Sequence, residues 1–518
     1  MTNQKAFVIS FILGLIFFAS ALLILTFGNL HEDAYILFQY SKKLASGQGI
    51  VFDEVSGPTE GATDFLWMVK LAFMYYVGLD LGSSAALLNS VGLVLISYVV
   101  LKLSEKLDWR AFSSLFLVLF SGGFSAALGG FSTLAYGGFI MLFGYSVIQR
   151  QYRNLSLLSL IISLFRPDGV LIVFGGILVA FYGATKEQRR ILFLYLAPVV
   201  ITGAGYFLWR YTYFENLLPL PLLVKAKTDS LIAGIGSNFH VLKYHLLLLI
   251  PFVLLFLKNG IKGIKWFEYF SFGLGPFFLL VALSFADQSQ NIGGRFQFPI
   301  ILAFIVIFIL SSRDIKISPT LFFVVPLICS LLGAKSIQSE VYYLTNNDYI
   351  NSFPQILKEM RFKMSKIAIT EAGRFPFWYD TNEMVDLVGL NSSRVVKNGS
   401  KKVVNELYPE LIFVHHAERF DTSLFDNKSS YVITEARAIK TKSEYLGNNP
   451  VLIAPESALT FAIQHNYIAV LVQYGKYDTN FSHVYFLSPK LDISIFTSAL
   501  DKSMSSKFTY FQSVNLIK

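Results

Sequence analysis

Long apolar runs joined by short polar links make up the first two thirds of the chain. The first run, from Ala6 to Phe27, contains no charged residue and matches the roughly 20 residues that an α-helix needs to cross a bilayer. No small-residue cleavage site follows it, so we interpret it as a retained transmembrane helix and not as a signal peptide. Ten further runs are counted as spans: 83–101, 111–128, 131–149, 155–165, 169–183, 191–210, 241–257, 267–285, 297–311 and 317–334.

The stretch from Phe65 to Leu79 is ambiguous. Lys70 interrupts it and its length is marginal for a crossing, so the pattern allows either an interfacial helix or a twelfth span. We count about eleven spans and leave this stretch outside the membrane.

The pattern changes near Ser336. Charged residues, Asn and Ser become frequent, and no later run is long enough to span a membrane. Stretches typical of strands alternate there with polar, helix-competent segments: KIAIT (366–370), ELIFV (410–414), SYVIT (430–434) and YIAVLV (467–472). We therefore predict an all-α polytopic membrane domain at 1–335, followed by a soluble α/β domain at 336–518.

Basic residues concentrate in four short links, RQYR (150–153), KEQRR (186–190), KNGIKGIK (258–265) and SSRDIK (311–316). The positive-inside rule assigns such links to the cytoplasm. With the N-terminus inside and eleven spans, all four links lie inside, and the C-terminal domain lies outside the cytoplasm together with the loop 28–64.

Composition agrees with a membrane protein. Of the 518 residues, 54% are hydrophobic and 15% are charged, whereas a soluble domain carries about a quarter charged residues. Basic cytoplasmic loops explain the net charge of +9, so no nucleic-acid partner is predicted. Cys329 is the single cysteine and permits no intramolecular disulfide bond.

The same topology places four polar segments on the outer face: 28–64, RPDG (166–169), 211–227 and DQSQNIGGRFQ (287–297). Each taken alone is compatible with an ordinary solvated loop. Together they hold carboxylates and isolated cations among Gly, Pro and aromatic residues. Ionisable groups at helix ends that face a shared cavity predict a functional site.

One of these segments, EDAYILFQYSKKLASGQGIVFDEVSGPTEGATDFLW (32–67), resembles the first external loop of bacterial GT-C membrane glycosyltransferases, in particular the arabinofuranosyltransferase-like branch. Further motifs resemble that family in the same order: FRPDG (165–169), RYTYFENLLPLPLLVKAK (210–227), GGRFQFP (293–299) and EAGRFPFWYDTNEMVDLVGLN (371–391). Glu32 stands where Asp is more usual, and GFST (130–133) lacks a carboxylate that relatives often carry. These departures concern the donor and the acceptor more than the reaction class.

The resemblance implies an inverting glycosyltransferase of the bacterial inner membrane, working on its extracytoplasmic face. The enzyme would move a sugar from a polyprenyl-phosphate donor, held in membrane lipid, to an envelope glycan, lipid or protein acceptor. A flippase or transporter of lipid-linked sugars, or a polymerase of lipid-linked glycans, is the alternative. A transporter would not need a large external domain, and the paired halves typical of transporter repeats are not seen in the sequence.

The proposed reaction requires a carboxylate that accepts the proton of the acceptor hydroxyl and cations that hold the departing phosphate. We predict Asp33 as the base, with Glu32 as a helper. Phosphate candidates are Arg295, Lys225 and Lys227, with Arg166 completing the pocket. Further predicted substrate contacts are Asp168, Glu60, Tyr35 and Asp287.

Local spacing supports this arrangement. Residues 33–46 fit a helix on the membrane surface, with Asp33 in the first turn, where the helix dipole favours a charged carboxylate. Glycines at 47 and 49 predict a reversal that returns Glu60 and Asp64 toward the same rim.

Structural roles remain open for several of these residues. Glu32 is compatible with a helix cap, Lys227 with a position in bulk water, and RPDG with a simple turn closed by an Arg166–Asp168 salt bridge. His31, His415 and His416 lack ligand spacing with a second cluster, so no metal site is predicted from them. The adjacent carboxylates leave a divalent cation, Mg or Mn, open. Aromatic residues of the C-terminal domain are candidates for stacking on a sugar: Phe375, Phe377, Trp378 and Tyr379.

Overall fold

The structure is a computed structural model and describes residues 1–225, 230–288, 291–313, 319–346, 348–415, 420–421, 430–441, 450–473, 481–506 and 509–515. Helices fill the first two thirds of the chain, and a mixed sheet with flanking helices forms the last third.

The first part contains sixteen α-helices within the described residues: α1 (Asn3–Phe27), α2 (Glu32–Ala45), α3 (Phe65–Tyr76), α4 (Leu81–Ser104), α5 (Trp109–Leu119), α6 (Gly122–Leu128), α7 (Thr133–Ile148), α8 (Tyr152–Phe165), α9 (Gly169–Tyr182), α10 (Lys186–Phe214), α11 (Leu220–Lys225), α12 (Leu231–Leu242), α13 (Ile250–Asn259), α14 (Trp266–Leu283), α15 (Phe298–Arg313) and α16 (Pro319–Thr345). Short 3-10 turns occupy His245–Leu249, Ile261–Gly263 and Ile292–Gly294.

Among the described residues, five helices are long and apolar enough to cross a membrane, namely α1, α4, α10, α14 and the Phe323–Thr345 part of α16. The number rises to seven if each of two bent helix pairs forms one span. The chain is therefore a multi-pass membrane protein. All eleven predicted runs fall on helices, some of them short, and the count of eleven spans stays a prediction. The ambiguous stretch forms α3, a helix of 12 residues.

Two predicted spans are bent. The axes of α5 and α6 differ by 48°, and the break lies at Phe120 and Ser121, where the Ser121 hydroxyl accepts a hydrogen bond from the Phe124 N–H. The run predicted at 241–257 contains a second break, because α12 and the helical segment His245–Asn259 meet at 74°. Hydropathy alone does not report such breaks, since both sides of each break are apolar.

Close packing in the helical part depends on small residues, as is common between membrane helices. At Gly92 of α4, a Cβ atom would collide with the backbone of Leu134 in α7. This approach anchors α7 against α4, and α4 in turn lies along α1. The chain just after α1 and the start of α7 border the cavity described below.

The last part contains seven α-helices and eight strands among the described residues. The helices are α17 (Phe353–Glu359), α18 (Arg374–Trp378), α19 (Ser393–Asn398), α20 (Ser400–Leu407), α21 (Pro450–Gln464), α22 (Ile493–Ser505) and α23 (Tyr510–Asn515). The strands are β1 (Lys366–Ile369), β2 (Glu383–Asp386), β3 (Leu411–Val414), β4 (Phe420–Asp421), β5 (Tyr431–Glu435), β6 (Lys440–Thr441), β7 (Ile468–Gln473) and β8 (Phe481–Leu487).

Six of the strands form one sheet in the order β2-β1-β3-β8-β7-β5, and β4 pairs with β6 separately. Strand β1 runs parallel to β2 and β3, whereas β8 runs antiparallel to β3 and β7. The four predicted strands correspond to β1, β3, β5 and β7. A membrane domain followed by an α/β region is thus confirmed as the fold class.

The loop between α1 and α3 packs into the core of the C-terminal region. Tyr40 and Phe52 belong to the same buried cluster as Phe353 and Leu411, and the face of α2 carrying Ile36 and Tyr40 contacts this cluster. Helix α2, which was predicted to lie on the membrane surface, therefore packs against protein on this face. Helix α16 runs through residue 335 without a break, and the domain boundary at 335/336 stays a prediction.

Candidate active site

The chain turns sharply from α1 into α2, and this turn presents the two adjacent carboxylates. His31 caps α2, because its Nδ1 accepts a hydrogen bond from the Asp33 N–H at 3.4 Å. Burial lowers the pKa of His31 to about 4, so the ring is neutral and its Nδ1 lone pair is available to the cap. Asp33 lies in the first turn of the helix, as predicted.

A cavity of about 660 Å³ opens beside this turn, between the helical part and the C-terminal region. Its wall includes six of the ten predicted site residues: Glu32, Asp33, Arg166, Asp168, Asp287 and Arg295. These residues come from three separate segments of the chain, 28–64, 166–169 and 287–297. The sequence prediction that the external loops meet at a shared cavity agrees with this arrangement.

Asp33 and Arg295 face each other on the cavity wall. The Arg295 Nη2 lies 3.5 Å from the Asp33 Oδ2. The Asp33 side chain is 27% exposed and that of Arg295 is 13% exposed, so both remain accessible from the cavity. A single contact of this length leaves most of the hydrogen-bonding capacity of both groups unused.

Arg295 is held between aromatic rings. Its guanidinium carbon lies 4.0 Å from the ring centroid of Phe131 and 5.2 Å from that of Phe296. The Nη1 atom is buried and has no hydrogen-bond partner among the described residues. Burial lowers the pKa of the Arg295 guanidinium, and Asp33 acts in the opposite direction. Arg295 is therefore a partly desolvated cation that can donate further hydrogen bonds to an anion.

Arg166 and Asp168 form a bidentate ion pair, with Nε–Oδ1 and Nη2–Oδ2 distances of 3.0 and 2.9 Å. The Tyr136 hydroxyl donates to the same carboxylate at 3.3 Å, and Phe296 lies under the Arg166 guanidinium at 5.2 Å. The predicted salt bridge of the RPDG turn is thus present. Both residues of this ion pair line the cavity, as Arg295 does.

Asp64 and Glu60 have different surroundings. Asp64 lines the cavity and accepts a hydrogen bond from the Ser132 hydroxyl at 2.5 Å. Glu60 does not line it. The Glu60 carboxylate is buried and accepts two hydrogen bonds from Arg210, one of them from Nε at 2.6 Å. Glu60 therefore ties the external loop to α10, and its predicted contact with substrate stays a prediction.

Glu32 connects the turn between α1 and α2 to the C-terminal region. Its Oε1 accepts a hydrogen bond from the Arg374 N–H at 2.8 Å, and its Oε2 lies 3.4 Å from the Arg374 Nε. At Gly373, a Cβ atom would collide with the Glu32 carbonyl and carboxylate. Burial, followed by the neighbouring Glu371 carboxylate, raises the pKa of Glu32 well above its usual value. The contacts of Glu32 with Arg374 thus hold the start of α2 against the C-terminal region. The cap of α2 is His31 and not Glu32.

The aromatic residues of the C-terminal region are buried in packing. Tyr35 is fully buried, its hydroxyl donates to the Asn29 Oδ1 at 3.0 Å, and its ring contacts Phe377 and Trp378. Phe375 stacks on Tyr379. None of these five rings lines the cavity of the described residues, so the suggested sugar-stacking role of the C-terminal rings is corrected to packing against α2 and the sheet.

The lysine candidates lie at the edge of the described structure. Lys225 is the last residue of α11, whose residues Pro221 and Leu222 line the cavity. Lys227 falls outside the described residues. Their predicted contacts with phosphate stay predictions.

The segment 371–391 contributes to the site more than the sequence indicated. Glu371 and Asp386 line the cavity, as does Asn391. The Asp386 carboxylate is buried and accepts hydrogen bonds from the N–H and Nδ2 of Asn391, both at 3.0 Å, and the Tyr40 hydroxyl donates to the Asn391 Oδ1 at 3.2 Å. This chain of contacts fixes α2 against the C-terminal region.

His415 also lines the cavity, and sequence reasoning gave it no role. Its ring approaches Glu371 and His483, and the ligand atoms of the three residues lie within 4.8 Å of one another. The adjacent carboxylates Glu32 and Asp33 contact Arg374 and Arg295, and the divalent cation left open for them stays a prediction.

Neither a protein-family model nor a curated protein matches the chain. Solved structures do. ArnT from Cupriavidus metallidurans bound to undecaprenyl phosphate matches with a TM-score of 0.52 at 11% identity, over 91% of this chain and 97% of that chain. ArnT from the same organism in the apo state matches with a TM-score of 0.51 at 10% identity, over 77% and 92% of the two chains.

An oligosaccharyltransferase from Archaeoglobus fulgidus in the apo form matches with a TM-score of 0.45 at 10% identity, over 97% of this chain and 78% of that chain. The likeness to ArnT shows that this chain has the GT-C fold, which confirms the fold implied by the sequence resemblance. The arabinofuranosyltransferase-like branch stays a prediction.

Proposed function

We propose that this chain is an inverting membrane glycosyltransferase that transfers a sugar from a polyprenyl-phosphate donor. The observation that carries the proposal is the pairing of Asp33 with Arg295 on the wall of one cavity. Transfer from a phosphate-linked sugar requires both a proton acceptor and a cation for the leaving group. The two groups occur together here, from segments that are far apart in the sequence.

Asp33 acts as the general base. As the acceptor hydroxyl oxygen attacks the anomeric carbon, its proton passes to the Asp33 carboxylate. The bond between the anomeric carbon and the phosphate oxygen breaks, and its electron pair leaves with the phosphate. A single displacement of this kind inverts the anomeric configuration.

Arg295 holds the phosphate. Its Nη2 faces Asp33, whereas its buried Nη1 has no partner among the described residues. A phosphate in the cavity would engage hydrogen-bonding capacity that the guanidinium leaves unused beside Asp33. Phe131 and Phe296 fix the orientation of the guanidinium, so that little side-chain entropy is lost when the phosphate binds.

Two further observations support the lipid-linked donor and the membrane setting. The chain has the GT-C fold, and one of the ArnT structures it resembles is bound to undecaprenyl phosphate. The base and the cation stand at helix ends, where a lipid tail can remain in the bilayer while the sugar-phosphate bond reaches the cavity, and no charge has to be buried in the bilayer centre. We place the site on the extracytoplasmic face of a bacterial inner membrane, with an envelope glycan, lipid or protein as acceptor.

An assay of purified protein with a panel of labelled polyprenyl-phosphate monosaccharides tests the proposal. The protein is reconstituted into liposomes with an envelope extract that contains glycans, proteins and lipids as the source of acceptor. We expect labelled sugar to appear in the extract with one donor of the panel, and free polyprenyl phosphate to accumulate in equal amount. Movement of intact donor across the bilayer without cleavage would indicate a flippase, and a strict requirement for two lipid-linked oligosaccharides would indicate a polymerase.

A further inference from the structure

Glu371, His415 and His483 lie at the same end of three neighbouring strands. Glu371 follows β1, His415 follows β3, and His483 lies near the start of the antiparallel strand β8. Strands β3 and β8 are antiparallel and Val414 pairs with Val484. The residue after Val414, His415, therefore lies opposite the residue before Val484, His483. The sheet thus places three potential ligands side by side, although 44 and 68 residues separate them in sequence.

The distances between these side chains suit a metal ion. The His415 Nδ1 lies 2.8 Å from the His483 Nε2 and 3.7 Å from the Glu371 Oε1, and the His483 Nε2 lies 3.8 Å from the Glu371 Oε2. Ligands at the usual zinc distances of about 2.0–2.1 Å, in a tetrahedral arrangement, are roughly 3.3 Å apart. The two imidazole nitrogens lie closer together than that value, and each lies farther than that value from a different Glu371 oxygen. With one oxygen counted for Glu371, the three ligand atoms lie within 4.8 Å of one another, so binding an ion requires the rings to separate and one carboxylate oxygen to approach both of them.

The surroundings of His483 orient its ring for this purpose. The ring is fully buried, and its Nδ1 lies 2.6 Å from the Tyr349 hydroxyl, which in turn lies 3.0 Å from the Tyr485 hydroxyl. When Nδ1–H donates to Tyr349, the Nε2 lone pair points toward Glu371 and His415. A ligating histidine is commonly fixed by a hydrogen bond from its other ring nitrogen.

We infer that Glu371, His415 and His483 form a binding site for a divalent transition-metal ion, with zinc as the best match. Two imidazoles and one carboxylate are a donor set that zinc accepts readily, and three protein ligands leave at least one position open. Glu371 and His415 both line the cavity that holds Asp33, so the open position faces the same space. The chemical class that would fill it is an oxygen ligand: water, or a phosphate or hydroxyl oxygen of a substrate.

A metal ion bound by these three residues would tie the ends of β1, β3 and β8 together beside α2.

The test is the metal content of the full-length protein after purification in a zinc-containing buffer and desalting. We expect near-stoichiometric zinc in the wild type and in His465→Gln, a matched change at a partly exposed histidine that contacts Tyr408. We expect zinc to be lost in His415→Gln and in Glu371→Gln. His415 is partly exposed, so its replacement is the variant better suited to fold normally, and size-exclusion profiles check this for each variant.

Cobalt replacement gives a second readout that is independent of transfer activity. Cobalt-loaded wild type should show the visible absorption bands of a low-coordinate site with nitrogen ligands, and His415→Gln should not. Retention of equal zinc by His415→Gln and wild type would overturn the inference. So would a wild type that takes up neither metal, which would leave the three residues as a hydrogen-bonded cluster. Neither result depends on whether Asp33 is a catalytic base.

Discussion

The guanidinium of Arg295 lies 3.5 Å from the carboxylate of Asp33, although the two residues are 262 positions apart in the chain. The contact joins the loop before α15 to the first turn of α2 and puts both groups on one cavity wall. Because each group keeps further hydrogen-bonding capacity, Asp33 can accept a proton while Arg295 binds an anion. The predictions below follow from this pairing and from the contacts that hold it.

Arg295→Lys keeps the positive charge but removes the planar fork that the phosphate would engage. A hydrogen bond to a charged group contributes about 1.5–3 kcal/mol, so we expect donor affinity to fall roughly 10- to 100-fold. Binding of a labelled polyprenyl phosphate to the purified variant measures this. Arg437→Lys, at an exposed arginine that pairs with Glu435, is the matched control. Equal donor binding by Arg295→Lys and wild type would remove Arg295 from the phosphate site.

Gly373→Ala should weaken the contact between the C-terminal region and the turn that joins α1 to α2. The added methyl group has no room beside Glu32, and such overpacking costs about 1–3 kcal/mol. We expect a lower thermal midpoint and lower turnover, because the shift of Glu32 displaces Asp33 next to it. Gly203→Ala is the control, since no atom lies within 4 Å of the added Cβ. Equal thermal midpoints for Gly373→Ala and Gly203→Ala would show that Glu32 can make room for the added methyl group without a loss of stability.

His31 should make stability depend on pH. Its folded-state pKa is lowered from 6.5 to about 4 by burial. Between these two values the unfolded chain binds a proton that the folded protein does not, so native stability falls as pH falls through this range. His31→Gln removes the titrating group. When the pH is lowered through this range, the thermal midpoint of the variant should therefore fall less than that of the wild type. Parallel midpoint curves for the two proteins would mean that His31 stays accessible to protons in the folded state.

The prediction of topology can be checked by labelling single cysteines in intact cells. Cys329 is buried and is first replaced by Ser. Gln48→Cys, in the exposed turn after α2, should react with a membrane-impermeant maleimide, whereas Lys262→Cys, in a basic link, should react only after the cells are opened. Both positions are exposed in the structure, so burial does not decide the result. The reverse pattern would mean that the predicted orientation is inverted.

Much of the fold follows from local pattern. An apolar run signals a helix wherever it stands, and the eleven predicted runs all fall on helices, as the four predicted strands fall on strands. The breaks between α5 and α6 and between α12 and the next turn were missed, because apolar residues continue across both. Strand β8 was missed as well: its sequence, FSHVYFL, mixes polar and apolar residues, and its place between β3 and β7 is a matter of tertiary pairing.

The candidate site was predictable only where a motif carried it. The loop resemblance pointed to Asp33, and the Gly-Arg motif pointed to Arg295. Pairings between distant segments left no signal: Arg210 with Glu60, Arg374 with Glu32, and the cluster of Glu371 with His415 and His483. These contacts arise from strand register and from the packing of α2 on the C-terminal region, which spacing in a single sequence does not report.

The most direct test of the account is the turnover of Asp33→Asn with the accepted donor at saturating concentration. The change keeps the size of the side chain but abolishes proton acceptance, and general-base catalysis contributes about 10²-fold or more. We predict a fall of about that size with donor binding retained, because Arg295 still holds the phosphate. Glu54→Gln, at an exposed carboxylate of the same loop, should leave turnover unchanged. Turnover of Asp33→Asn close to that of wild type, with folding and donor binding intact, would contradict the assignment of Asp33 as the base.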